Sequence, residues 1–148
     1  MLGKSKSRTM YIELEDYNNI GRDALEVVQQ SNEQNRLLAE RYAIDFASGY
    51  LRGRYDVEKT FSMTGNNRNM ALVGCLTDIS LYRMCLNLPA RMGLEKRKEQ
   101  FDEAVKWLQS VQNSSIMLDL PTVIGPKGEE DYYNPIRTGE GIRNSYDW

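Results

Sequence analysis

Histidine is missing from the sequence altogether. Its absence removes the commonest general base, the commonest metal ligand and the usual relay behind a serine or cysteine nucleophile. Carboxylate chemistry survives that loss, but no pair of acids is singled out by its spacing. Cysteine is nearly as scarce, Cys75 and Cys85 being the only two. On one helix, ten residues at about 1.5 Å each part them by ~15 Å, beyond disulfide reach. Two reduced thiols fit a chain made in a cytoplasm. They show no metal-cluster spacing and read as core fillers. No apolar run approaches the ~20 residues that span a bilayer, and the first residues lack the apolar stretch of a signal peptide. A basic excess is absent too. The net charge is −2, which speaks against a sequence-specific reader of nucleic acid. Only Lys4, Lys6 and Arg8 concentrate positive charge, and they read as a solubilising end.

What is present is helical periodicity. The 148 residues, 41% hydrophobic and 27% charged, allow one domain that buries roughly two-thirds of its unfolded surface. A polar start, residues 1–10, precedes Tyr11-Ile12-Glu13-Leu14, a lead-in strand or extended anchor. Glu15-Asp16 then opens a helix predicted over Asp16–Gln30, with Tyr17, Ile20, Ala24 and Val27 or Val28 as its stripe and Gly21 weakening its middle. Ser31-Asn32-Glu33-Gln34 reads as a capping box for a second helix, Asn32–Arg52. That helix places Leu37, Ile44 and Leu51 on one line, with Ala47 and Phe46 beside it. Thr60 to Asn69, with Gly65 at its centre, reads as a loop. A third helix is predicted over Arg68–Leu86, on Leu72, Cys75 or Leu76, Ile79, Tyr82 and Leu86, and Pro89 stops it. A fourth covers Leu94–Gln112, on Leu94, Phe101, Ala104, Val105, Leu108 and Val111.

The character changes after Asn113. Residues 114–118 read as a brief strand or a strap. Three of the four prolines lie from Pro121 onward, with no helical period but with Tyr132, Tyr133, Tyr146 and Trp148. Such rings contribute most when buried at interfaces and little when left in water. Pro121, Ile124, Tyr132, Tyr133, Ile136, Tyr146 and Trp148 are therefore the candidate interface residues of an arm, residues 114–148, that orders against other subunits or partners. Other motifs carry less. Glu129-Glu130-Asp131 lacks the alternating oxygen ligands of a calcium loop, and Gly139-Glu140-Gly141 is no phosphate cradle. No cofactor or metal is implied. Asp45, Arg54 and Asp78 read as a structural charge cluster tying two helices together, a task to which the planar fork of arginine is suited.

Ile44-Asp45, Tyr50-Leu51 and Arg54-Tyr55-Asp56-Val57 together resemble a Mu-like subgroup of the head-to-tail connector, or head-completion, proteins of tailed phages. Asp78-Ile79-Ser80-Leu81-Tyr82 looks like that family's second signature helix, and Phe101 to Leu108 like its last. The likeness spans Tyr11 to Val111. It implies a mainly α, small four-helix connector-type bundle over residues 11–113, with an extended N-terminal arm and a long C-terminal one. It also implies a structural subunit without enzymatic activity, forming a ring, commonly twelve-fold, of copies of itself between the portal protein and the next neck or tail protein. DNA would pass through such a ring without being read. The protein would sit in the virion neck after assembly in the host bacterial cytoplasm. Two rival expectations are a cytoplasmic regulator that binds one protein through the same C-terminal arm, and a carboxylate-dependent hydrolase.

Overall fold

In the computed structural model, residues 11–89 and 93–123 are described. The fold is mainly α, as the periodicity predicts. The elements are α1 (Leu14–Asn18), α2 (Arg22–Gln30), α3 (Glu33–Leu51), a single turn α4 (Val57–Thr60), α5 (Met70–Leu86) and α6 (Leu94–Gln112), with one 3₁₀ turn at Gly65–Asn67.

α5 is the axis of the molecule. Leu72, Val73, Cys75, Leu76, Ile79, Leu81, Met84 and Cys85 are buried around most of its circumference, as expected of a helix enclosed by others. α3 and α6 pack along it. α3 meets it through Ala39, Ala43, Ala47 and Leu51, all buried, and the alanines let two backbones approach closely. This corrects the expected line of Leu37, Ile44 and Leu51. Only Leu51 of those three is buried, Leu37 and Ile44 are half-buried, and Leu38 beside them is 55% exposed. α6 contributes Ala104, Leu108 and Val111 at three-to-four spacing. Cys75 and Cys85 are buried and form no disulfide, and burial together with the nearby Asp78 pushes the Cys75 thiol up to about 12.

The first expected helix is in fact two. The chain breaks between Asn18 and Arg22, where Gly21 takes φ +143°, a backbone angle that L side chains rarely adopt. The expected capping box at Ser31 and Gln34 does not form, and a single side-chain cap lies one residue further on. Asn32 is the cap of α3, its side chain accepting the Asn35 N–H at 2.7 Å. Ser31 instead ends α2, its N–H bonded to the carbonyls of Val27 and Val28. The same residue type caps α5, where Asn69 accepts the Leu72 N–H at 3.1 Å. Tyr11 and Ile12 are buried without strand pairing, so they anchor. The Tyr11 ring meets Phe61 edge-on at 5.1 Å.

Candidate interaction surface

The described chain does not stop at α6. Ser114 takes φ 72°, a left-handed turn that is unusual for a residue with a side chain. The chain then crosses back over the end of α3. Five hydrogen bonds tie this strap, residues 114–123, to residues 54–56. The Arg54 guanidinium donates to Ser114 Oγ and, at 3.1 Å, to the Met117 thioether. The buried Tyr55 hydroxyl accepts the Leu118 N–H at 2.9 Å. The Asp56 N–H reaches the Pro121 carbonyl, and the Val123 N–H reaches the Arg54 carbonyl, both at 2.9 Å. The last two frame an isolated antiparallel bridge between Tyr55 and Thr122. Asp56 also caps α4, accepting the Lys59 N–H at 3.1 Å. Three consecutive residues, Arg54, Tyr55 and Asp56, therefore both turn the chain out of α3 and grip the strap.

Pro121 is thereby placed against the body, half-buried, with its carbonyl bonded. Ile124, Tyr132, Tyr133, Ile136, Tyr146 and Trp148 lie outside the described residues, as does the basic start of the chain.

The three members of the expected charge cluster are not brought together. No ion pair joins them among the described residues. Asp45 lies exposed on α3, Arg54 serves the strap, and Asp78 sits half-buried on α5. Burial pushes the Asp78 carboxyl up to about 6, while the charge of Arg97 pulls it part of the way back. Arg97 is itself 3% exposed, with one guanidinium nitrogen lacking a hydrogen-bond partner.

The charges that do tie elements together were missed. Arg68 donates to both carboxylate oxygens of Asp16, at 2.6 and 3.1 Å, and to the carbonyls of Tyr11 and Gly65, each at 2.9 Å. That fork fastens residues 11–16 to the entry of α5. Beside it, the fully buried Tyr17 hydroxyl donates to the fully buried Glu40 at 2.6 Å, and Arg36 reaches the same oxygen at 3.4 Å. Burial raises the Glu40 carboxyl above the ordinary range, more than the hydroxyl of Tyr17 and the charge of Arg36 lower it. Glu40 was findable, because it shares the helical face of Ala43, Ala47 and Leu51 and so puts a carboxylate in line with the core. Arg68 gave no such signal, since its partners Tyr11 and Asp16 are more than fifty residues away in sequence.

A second surface runs over α3, α5 and α6. Tyr42 stacks on Phe46 at 5.8 Å, Phe46 meets Tyr50 edge-on at 5.4 Å, and Phe101 stacks on Tyr82 at 4.8 Å. The Arg83 guanidinium lies 3.9 Å over the Tyr42 ring, within the range of a cation–π contact. These rings are half-buried. Among the described residues, no group of acids and thiols is placed to hold a metal ion, and no helix is long and apolar enough to cross a membrane.

Comparison with protein-family models, with curated proteins and with solved structures finds no match for this chain.

Proposed function

We propose that the chain is a non-enzymatic structural subunit that assembles into a ring and joins a phage portal to the next neck or tail protein. The observation that carries this reading is the seam at Arg54-Tyr55-Asp56. These residues belong to the motif on which the resemblance to connector proteins rests, and they clamp the strap from which the C-terminal segment continues. The clamp holds Val123 on the body, the point from which the proposed arm would depart. An extended segment crossing onto a neighbour turns a weak flat contact into a multivalent one. The near-neutral charge agrees with a channel that passes DNA without gripping it.

Light scattering of the purified chain, alone and mixed with a portal ring, tests the proposal. A ring-sized mass, or recruitment to the portal, is the expected result. A concentration-independent monomer that ignores the portal would instead favour the regulator. Removal of the arm belongs after Val123, because Pro121 and Val123 are bonded to the body. A chain ending at Val123 is expected to keep its helical circular dichroism while losing the ring.

A further inference from the structure

The outward face of α3 carries a row that no side-chain hydrogen bond or ion pair among the described residues uses. Gln34, Leu38, Arg41, Asp45, Gly49 and Arg52 follow one another at spacings of three and four, and all six are exposed, opposite the buried alanines. Leu38 stands 55% exposed between two hollows of about 440 and 430 Å³. Arg41 and Asp45 lie one turn apart, yet neither makes an ion pair among the described residues, in keeping with the less favourable order of cation before anion on a helix. Gly49 sits inside a nineteen-residue helix with open space where a Cβ would be. A glycine there weakens the helix by roughly 1 kcal/mol relative to alanine, and no internal packing requires it.

We propose that this face is a two-fold contact between two copies of the chain, α3 packing antiparallel on α3 with the axis between Ala43 and Ile44. That register sets Leu38 of each copy over Gly49 of the other, where the missing side chain leaves room for it. It also brings Arg41 of each copy within about one residue's rise, ~1.5 Å along the axis, of Asp45 of the other. Two reciprocal ion pairs and two leucine-to-glycine contacts result from one symmetry operation, which makes the face complementary to itself. A contact confined to one face of one helix falls short of the ~1,000 Å² of a stable interface, so the pair is expected to associate in the micromolar-to-millimolar range. The inference stands apart from the connector reading, since a two-fold contact closes at two copies and builds no ring.

Sedimentation velocity of the full chain over a concentration series tests it with four samples. The wild type is expected to show a species of twice the monomer mass that grows with concentration, beside any ring-sized species. Arg41→Asp and Asp45→Arg are each expected to weaken the association by about tenfold or more, because each sets like charges opposite one another. An equimolar mixture of the two variants restores the dimer. One copy then presents acids at both positions and the other presents arginines at both, so opposite charges again meet across the axis. All the changes are on exposed side chains, and helical circular dichroism confirms that each variant is folded. Equal masses for the wild type, both single variants and their mixture would overturn the proposal. So would dimers that form equally well in each single variant alone.

Discussion

The two halves of the bundle are held in different ways. Along α5, α3 and α6 the contact is mainly apolar, with Ala43, Ala47, Leu51, Leu72, Leu76, Ile79 and Leu108 all fully buried. At the other end, α1 is only five residues long, too short to persist by itself. It is fastened by two buried polar anchors, Arg68 on Asp16 and Tyr17 on Glu40. Apolar burial accumulates with area and tolerates modest change of shape. A buried charge pair depends on both partners, and removing one leaves the other desolvated and alone. The first half should therefore give way gradually and as a whole, the second abruptly and locally.

Arg68→Ala is the most severe way to break that contrast. It strands the Asp16 carboxylate and frees the Tyr11 and Gly65 carbonyls, at an expected cost of about 3–5 kcal/mol. Hydrogen exchange should accelerate first in residues 11–18, with α5 and α6 protected until global unfolding. Replacing both partners together, Arg68→Met with Asp16→Leu, is expected to recover most of the loss. A double variant no more stable than Arg68→Ala would show that the anchor is not a simple charge pair. Leu76→Ala comes next, at about 3 kcal/mol for a fully buried leucine. Its exchange should rise evenly over α3, α5 and α6 in place of a local pattern.

The pH dependence separates the halves further. Glu40 and Asp78 both have their carboxyls raised, chiefly by burial, so the folded chain holds protons that the unfolded chain has released. Their contribution is complete below the ordinary carboxylate range and is lost as pH rises through the folded values. For Asp78 that loss is finished just above about 6. Asp23 has the opposite sign, because Lys96 lowers it, so the useful quantity is the difference between variant and wild type. Glu40→Gln keeps an acceptor for Tyr17 and discards the charge. Its urea midpoint should gain on the wild type as pH rises above the ordinary carboxylate range, and Asp78→Asn should gain over a span that ends near 6. A constant offset across that range would mean that neither carboxyl is protonated in the folded chain.

The apolar half was the legible one. Helix-period spacing located α3, α5 and α6 to within about two residues, since burial on one side imposes that spacing directly. Its inner face was less legible in α3, where leucine outranks alanine by hydrophobicity but close backbone approach selects Ala39, Ala43 and Ala47. The break at Gly21 showed only as a weak point, because a glycine permits a turn without demanding one. α4 was missed, since four residues hold no period. Asp45, Arg54 and Asp78 form a group only on the argument that charges near apolar positions suggest pairing, yet local sequence carries no information on which distant element lies opposite. Arg68 and Asp16 show the same limit from the other side. The first part of the arm was recognisable as a strap. Its receptor, Arg54 to Asp56, was recognisable only as a motif, with Arg54 assigned to a charge cluster and not to the strap.

The smallest effect is expected where neither mode of fastening operates, on the outward face of α3. Gly49→Ala adds a methyl group that meets nothing within 4 Å and removes the backbone freedom that glycine gives the unfolded chain, for a gain of about 0.5–1 kcal/mol. The gain should appear as a higher urea midpoint with an unchanged slope, and equally at acid and neutral pH, since no titrating group is touched. Substitutions in either buried half carry a packing or charge penalty that masks helix propensity, whereas this one isolates it. Self-association should move the other way, because the same methyl group narrows the seat into which Leu38 of a second copy would fit. Stability rising while association falls would assign the glycine to the contact between copies. Stability rising with association unchanged would leave Gly49 a plain weakness of the helix, and the difference between the two halves of the bundle would then account for the fold without it.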